Sequence, residues 1–143
     1  MSDPTTDPHD LRRFLTAQDP VIDGVRAELR AGRKTSHWMW FVFPQIAGLG
    51  RSETARLYAL ASREEAVAYL AHPVLGTRLL DCTRLVNAME GASAIRIFGD
   101  VDAAKFRSCM TLFAAVAPEQ AAFTDALRKY YAGVPDQATL ERL

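Results

Sequence analysis

The longest regular pattern in this chain is a row of apolar residues that repeats every four or three positions. The row consists of Leu75, Leu79, Cys82, Val86 and Met89. Since an α-helix turns once per 3.6 residues, this spacing places all five side chains on one helical face. A face of this kind is stable only when other elements cover it, so the segment between Pro73 and Gly91 predicts a core helix.

Shorter rows of the same kind account for most of the remaining chain, at 11–18, 20–32, 52–60, 62–72, 101–116 and 118–133. The only candidate strand is the short run Trp40–Phe43, which does not alternate between apolar and polar residues. We therefore predict an all-α fold, a single compact domain of about seven to nine short helices. The domain is expected over residues 10–143, preceded by a disordered N-terminal tail over residues 1–9.

Composition narrows the class of protein. The 17 basic and 17 acidic residues balance, which argues against a dedicated nucleic-acid-binding protein, although two or three placed cations suffice for a local anion site. No apolar run approaches the length needed to cross a bilayer, and the polar start of the chain does not resemble a signal peptide. Cys82 and Cys109 fall at apolar helical positions, where core thiols are more common than a disulfide. A cytoplasmic location with no membrane partner is the expectation.

The stretch RKTSHWMWFVFPQIAGLGRS, residues 33–52, combines cations and aromatic rings. Trp38 and Trp40 lie two positions apart, so on a helix they diverge by about 200° and only one can face the core. The other indole is a candidate stacking surface for a planar ligand. The simpler alternative, that each aromatic residue is ordinary packing, stays open.

Polar groups flank these rings. Lys34 and His37 are the candidate catalytic residues, because each can donate a proton or hydrogen bond beside the rings; Lys34 also suits the end of the preceding helix. The turn Gly48–Leu49–Gly50–Arg51 precedes a helix start and could hold an anion, or could be an ordinary connection. These residues are compatible both with an enzyme and with a domain that only binds its ligand.

A second polar line follows the helix predicted over 101–116. Lys105, Ser108 and Thr111 are solvated surface by default, and complete a polar pocket only if this helix borders the aromatic stretch. Four scattered carboxylates, Asp81, Glu90, Asp100 and Asp102, can supply acid–base chemistry only if folding brings one of them to the aromatic cleft. The three histidines and two cysteines show no zinc spacing, so no metal and no cofactor are predicted.

Four stretches resemble an uncharacterised bacterial domain family whose members often carry the label "calpastatin", a label that looks like a misannotation. They are SHWMWFVFPQIAGLGRS, AHPVLGTRLLDCT, IFGDVDAAKFRSCMTLF and YYAGVPDQATLERL. The resemblance implies a small all-helical cytoplasmic domain without an assigned function. When the sequence motifs of that family are matched residue by residue to this chain, they correspond to Lys34, His37, Trp38, Trp40, Phe43, Pro44, Gln45, Gly48, Gly50, Lys105, Ser108 and Thr111. Cys109 stands where the resemblance leads us to expect a second serine.

Three hypotheses follow for the function. The first is binding, and possibly conversion, of a small anionic planar ligand such as a nucleotide derivative. Its expected ligand-binding residues are Trp38, Trp40, Gln45, Gly48, Gly50, Arg51, Lys105, Ser108 and Thr111. The second is a protein-interaction or homodimerisation module that uses the same aromatic patch. The third, a fainter resemblance, is to helical N-glycosidases acting on ADP-ribose or related metabolites, which use a carboxylate beside aromatic residues.

Overall fold

The computed structural model describes residues 7–143, and within them the chain forms ten α-helices and no β-strand. In chain order they are α1 (Arg12–Gln18), α2 (Ile22–Arg30), α3 (Met39–Val42), α4 (Glu53–Leu57), α5 (Arg63–Ala71), α6 (Leu75–Ala88), α7 (Ala94–Phe98), α8 (Asp100–Val116), α9 (Ala121–Tyr131) and α10 (Gln137–Leu140). The predicted all-α, single-domain fold is confirmed. None of these helices combines the length and the apolar character that crossing a membrane requires.

The core forms around α8, the longest helix, which packs against α5, α7, α9 and α10. Four residues of the predicted row, Leu75, Leu79, Cys82 and Val86, lie on α6 and are at most 1% exposed, and α6 packs against α2, α5 and α9. The fifth, Met89, follows the helix in an extended conformation and is partly buried. Both cysteines are free and buried, and burial raises the pKa of the Cys82 thiol to about 11. They are core residues.

The run Trp40–Phe43, the only candidate strand, is helical and belongs mostly to α3. Extended pairing occurs directly afterwards, where Ile46 and Leu60 form one isolated parallel bridge. The bridge joins the two ends of the segment that contains α4. A helix of four residues cannot be stable alone, so α3 depends on the packing of its buried side chains Met39 and Val42.

The N-terminal end of α1 is fixed by the Asp7 carboxylate. Its oxygens accept hydrogen bonds from the Leu11 and Arg12 amides at 2.9 and 3.0 Å. These bonds lower the pKa of Asp7 below its usual value. Of the predicted tail over residues 1–9, residues 1–6 lie outside the described part of the chain, and Asp7 precedes α1 and bonds to the amides at its start.

Candidate functional site

The loop between α2 and α3, residues 31–38, is held in place by one carboxylate. Glu28 Oε1 accepts hydrogen bonds from the Thr35 amide at 2.5 Å, the Ser36 amide at 2.9 Å and the Trp38 indole at 3.2 Å. Partial burial alone would raise the pKa of Glu28, but these hydrogen bonds outweigh it and lower the pKa to about 2. The loop that carries Lys34 and His37 therefore has a defined conformation.

The two tryptophans diverge as their spacing predicts. Trp38 is 1% exposed and packs against Phe43, whereas Trp40 is partly exposed. The expectation that Trp38 contacts a ligand is therefore corrected, because its ring is enclosed by the core and its N–H is already bonded to Glu28. Trp40 is the indole that remains accessible for stacking.

The aromatic stretch and the start of α8 meet through Asp102. Lys34 Nζ lies 2.9 Å from Asp102 Oδ2, and Lys105 Nζ lies 3.1 Å from Asp102 Oδ1. The Lys34 side chain is 8% exposed, and those of Asp102 and Lys105 are 19% and 20% exposed. Sequence reasoning treated Asp102 as one of several scattered carboxylates. Its position in the first turn of α8, three residues before Lys105, is the feature that could have identified it.

Each lysine of this cluster also lies over a tryptophan ring. Lys34 Nζ is 5.1 Å from the centroid of Trp38, and Lys105 Nζ is 4.6 Å from that of Trp40. Both distances are within the range of cation–π attraction. The result is two lysine–tryptophan pairs joined by one aspartate, with the first pair buried and the second reaching the surface. We call these five residues the lysine–aspartate cluster.

The electrostatics of the cluster favour an anion. Burial opposes the ionisation of Asp102, but hydrogen bonds from Lys34 and Lys105 lower its pKa below the usual value. One ionised carboxylate therefore faces two ammonium groups, which leaves an excess of one positive charge. Arg33 is exposed on the adjoining loop and adds a further positive charge. A carboxylate held ionised in this way is a poor proton carrier at neutral pH.

The glycine turn contacts a different part of the chain. Gly48 adopts a positive φ of 98°, and a side chain there would meet Arg142 Nε at 2.8 Å. Gly50 is close to Ala55, and a Cβ would meet that side chain at 2.5 Å. The Ser52 hydroxyl already accepts the Ala55 amide at the start of α4. Local packing accounts for both glycines.

Two further predicted residues lie near this turn. Arg51 is exposed, directly before Ser52. Gln45 is partly exposed, and its carbonyl accepts the Leu60 amide at 2.9 Å as part of the pairing around the Ile46 bridge. Within residues 7–143, neither side chain forms a hydrogen bond to a residue of the lysine–aspartate cluster.

Ser108 and Thr111 fasten the C-terminal segment instead of lying on a solvated face. Ser108 is 6% and Thr111 2% exposed, which corrects that expectation. The Ser108 hydroxyl donates to Asp136 Oδ2 at 3.2 Å, and Thr111 Oγ1 accepts the Asp136 amide at 2.8 Å. Asp136 in turn caps α10 through Thr139. Ser108 also lines a groove of about 370 Å³ between α7, α8 and α9.

The fold and the cluster define a small all-α domain with a basic and aromatic surface at the first turns of its central helix. The chain belongs to the protein family of unknown function DUF1810, whose model matches residues 8–143. It is similar to the crystal structure of the conserved hypothetical protein Rv1873 from Mycobacterium tuberculosis. That similarity has 52% sequence identity and a TM-score of 0.95, and covers 96% of this chain and 98% of that one. No curated protein matches the chain.

Proposed function

We propose that the chain binds a small anionic ligand with a planar ring, such as a nucleotide derivative, at the exposed side of the lysine–aspartate cluster. The observation that carries this proposal is the position of Lys105, 4.6 Å from the partly exposed Trp40 ring and 3.1 Å from Asp102. A ring can stack on Trp40 while an anionic group takes a hydrogen bond from the neighbouring ammonium.

The energies of these contacts define the affinity range. Stacking of a ring on an aromatic side chain contributes about 1–3 kcal/mol, and a hydrogen bond to a charged group about 1.5–3 kcal/mol. Their sum is close to the 4 kcal/mol or so that corresponds to millimolar binding. Tighter binding needs further donors, and exposed His37 and Arg33 are the nearest in sequence.

The proposal is one of binding, with exposed His37 as a ligand contact or proton donor. Lys34, whose side chain is 8% exposed and paired with Asp102, holds that carboxylate in place instead. The Asp102 carboxylate is hydrogen-bonded to both lysines and its pKa is lowered, so it favours positioning a cation over removing a proton. The remote N-glycosidase hypothesis gains a carboxylate near an aromatic ring, supplied by α8 rather than by the aromatic stretch. Hydrolytic release of free adenine from ADP-ribose, with water adding at the ribose C1′, would support it.

The experiment is a thermal-shift screen of AMP, ADP-ribose, sugar phosphates and dicarboxylates, followed by calorimetric titration of any compound that raises Tm. A ligand at 100 times its Kd is expected to stabilise the fold by about 2.7 kcal/mol, a shift of several degrees at this chain length. Trp40→Leu and Lys105→Gln should each weaken binding about tenfold. Arg128→Gln, which removes an exposed positive charge from α9, is the matched control.

Two outcomes would contradict the proposal. The first is no shift for any anionic planar compound while the fold remains intact. The second is binding that Lys105→Gln and Arg128→Gln reduce equally, since net charge rather than this site would then be responsible.

A homodimer or protein-interaction surface is the second candidate, favoured by Val101. Val101 is 69% exposed and lies four residues before Lys105, which places both on one face of α8. An exposed apolar residue on the same helical face as Lys105 is typical of interface cores. Sedimentation velocity of wild type and Val101→Ser tests it, with a concentration-dependent dimer expected only in wild type.

We also propose that the protein acts in the cytoplasm. The support is that Cys82 and Cys109 are both free and buried, as expected in a reducing compartment. The label "calpastatin" adds no residue or contact to these proposals.

A further inference from the structure

We infer that a second surface groove, between α2 and α6, binds the phosphate group of a small anionic ligand, independently of the lysine–aspartate cluster. The groove has a volume of about 320 Å³. It is lined by Arg26, Arg30, Asp81, Arg84 and Leu85. Below it is called the arginine groove.

Helix geometry brings the arginines together. Arg26 and Arg30 lie four residues apart on α2, and Asp81 and Arg84 lie three residues apart on α6, so each pair shares one helical face. The two faces oppose each other because α2 packs against α6. Three guanidinium groups therefore point towards one groove from two rigid elements.

The charges in the arginine groove do not balance. Asp81 supplies one negative charge and pairs with Arg26 at 3.7 Å, and Arg26 also lies 3.8 Å from the exposed Asp23. Within residues 7–143, Arg30 and Arg84 form no ion pair, and both are exposed. The groove thus concentrates two excess positive charges in a chain whose 17 basic and 17 acidic residues cancel.

Helix stabilisation explains only part of this arrangement. Arg30 lies in the last turn of α2, where a cation interacts favourably with the helix dipole. Arg84 is not in the last turn of α6, so the same explanation does not apply to it. Like charges at i and i+4, such as Arg26 and Arg30, repel one another. An anion bound between α2 and α6 would relieve that repulsion.

Guanidinium groups identify the class of ligand. Their planar forks of N–H donors match the oxygens of phosphate and carboxylate, and several converging arginines favour a group with more than one negative charge. A phosphate monoester or diphosphate of a small molecule meets this requirement. Arg84 also lines an adjoining groove of about 500 Å³ beside Ala121 and Ala122, which offers room for the rest of the molecule.

The test is calorimetric titration of the protein with inorganic pyrophosphate in low-salt buffer. Wild type is expected to bind, and the double variant Arg30→Gln/Arg84→Gln to lose at least about tenfold in affinity. The control Arg96→Gln/Arg128→Gln removes the same charge from exposed positions on α7 and α9 and should retain wild-type affinity within about twofold. Circular dichroism confirms that each variant is folded.

Three results would overturn the inference. Wild type could fail to bind pyrophosphate at about 10 mM, an affinity too weak for a specific site. The control variant could lose as much affinity as the groove variant, which would indicate net charge alone. Lys105→Gln could abolish pyrophosphate binding while the groove variant keeps it, which would assign the anion to the lysine–aspartate cluster. Binding that survives Lys105→Gln but not the groove variant supports the inference, whatever the fate of the proposed function.

Discussion

The two lysine–tryptophan pairs of the cluster have the same chemistry and opposite surroundings. The Lys34 side chain is 8% exposed and Trp38 is 1% exposed, so this pair lies inside the fold. Lys105 is 20% exposed in the side chain and Trp40 is partly exposed, so the second pair reaches solvent. Both lysines bond to the same Asp102.

Burial decides what each pair can do. The indole N–H of Trp38 needs an acceptor once it leaves water, and Glu28 provides it while also holding the loop amides. The buried pair therefore stabilises the loop and has no face left for a ligand. In the second pair, Lys105 lies on one side of the partly exposed Trp40 ring, and the rest of the ring is accessible to solvent. A ligand can therefore displace water from this pair.

The largest effect expected from this difference is on stability. Trp38→Ala should lower the free energy of unfolding by about 3–5 kcal/mol, because it leaves a cavity and an unpaired Glu28 hydrogen bond. Trp40→Ala should lower it by about 1 kcal/mol or less, since the ring is partly solvated already. Urea denaturation of both variants measures the difference. Equal losses would mean that the two pairs are not distinguished by burial.

Much of the fold was predictable because local spacing determines it. The rows on α6 and α8 repeat at helical intervals, and the caps Ser52, Ser62 and Asp136 precede their helices as serine and aspartate caps commonly do. The spacing of Trp38 and Trp40 correctly predicts that they differ in exposure, although Trp38 lies just before α3 with non-helical backbone angles. The sequence did not show which of the two faces the core, because that depends on tertiary packing.

The candidate site was predictable only in its local part. Lys34, Trp40 and Lys105 were all proposed from sequence, but their meeting at Asp102 joins residues about 70 positions apart in the chain and depends on tertiary packing. The burial of Ser108 and Thr111, which were predicted to lie on a solvated face, also depends on tertiary packing. Their hydroxyls are polar, yet the C-terminal segment covers them and Asp136 satisfies them. The arginine groove is not predictable from spacing, because its arginines are on two separate helices.

Removing the shared carboxylate should have the next largest effect. Asp102→Asn leaves the nearly buried Lys34 ammonium without its counter-ion, which should cost about 2 kcal/mol, between the values for exposed and for buried pairs. Asp125→Asn, which breaks the exposed pair with Arg128, is the control and should cost about 0.5 kcal/mol or less. Thermal and urea unfolding at low salt measure both. Similar losses in the two variants would show that Lys34 is effectively solvated.

Glu28, which accepts the hydrogen bond of the Trp38 indole N–H, should have a smaller, pH-dependent effect on stability. The folded pKa of Glu28 is lowered from 4.5 to about 2, so its stabilising contribution is complete above the unfolded pKa and disappears as pH falls towards 2. Glu28→Gln keeps an acceptor oxygen without the charge and should cost about 1 kcal/mol at neutral pH. The difference between wild type and variant should then shrink between pH 4.5 and 2. Glu90→Gln, which removes a carboxylate from an exposed position, is the control for the change in charge.

The smallest perturbation tests the exposure difference directly. Trp40→Phe leaves Trp38 as the only indole, and its fluorescence should be blue-shifted and nearly insensitive to iodide. Trp38→Phe, if folded, should leave an indole that iodide quenches. Because iodide is an anion, Lys105 should concentrate it near Trp40, and Lys105→Gln should reduce quenching by iodide more than quenching by neutral acrylamide. If Lys105→Gln changes quenching by iodide and by acrylamide equally, Lys105 does not attract anions to the Trp40 ring, and this pair would then lose the property on which the proposed ligand site depends.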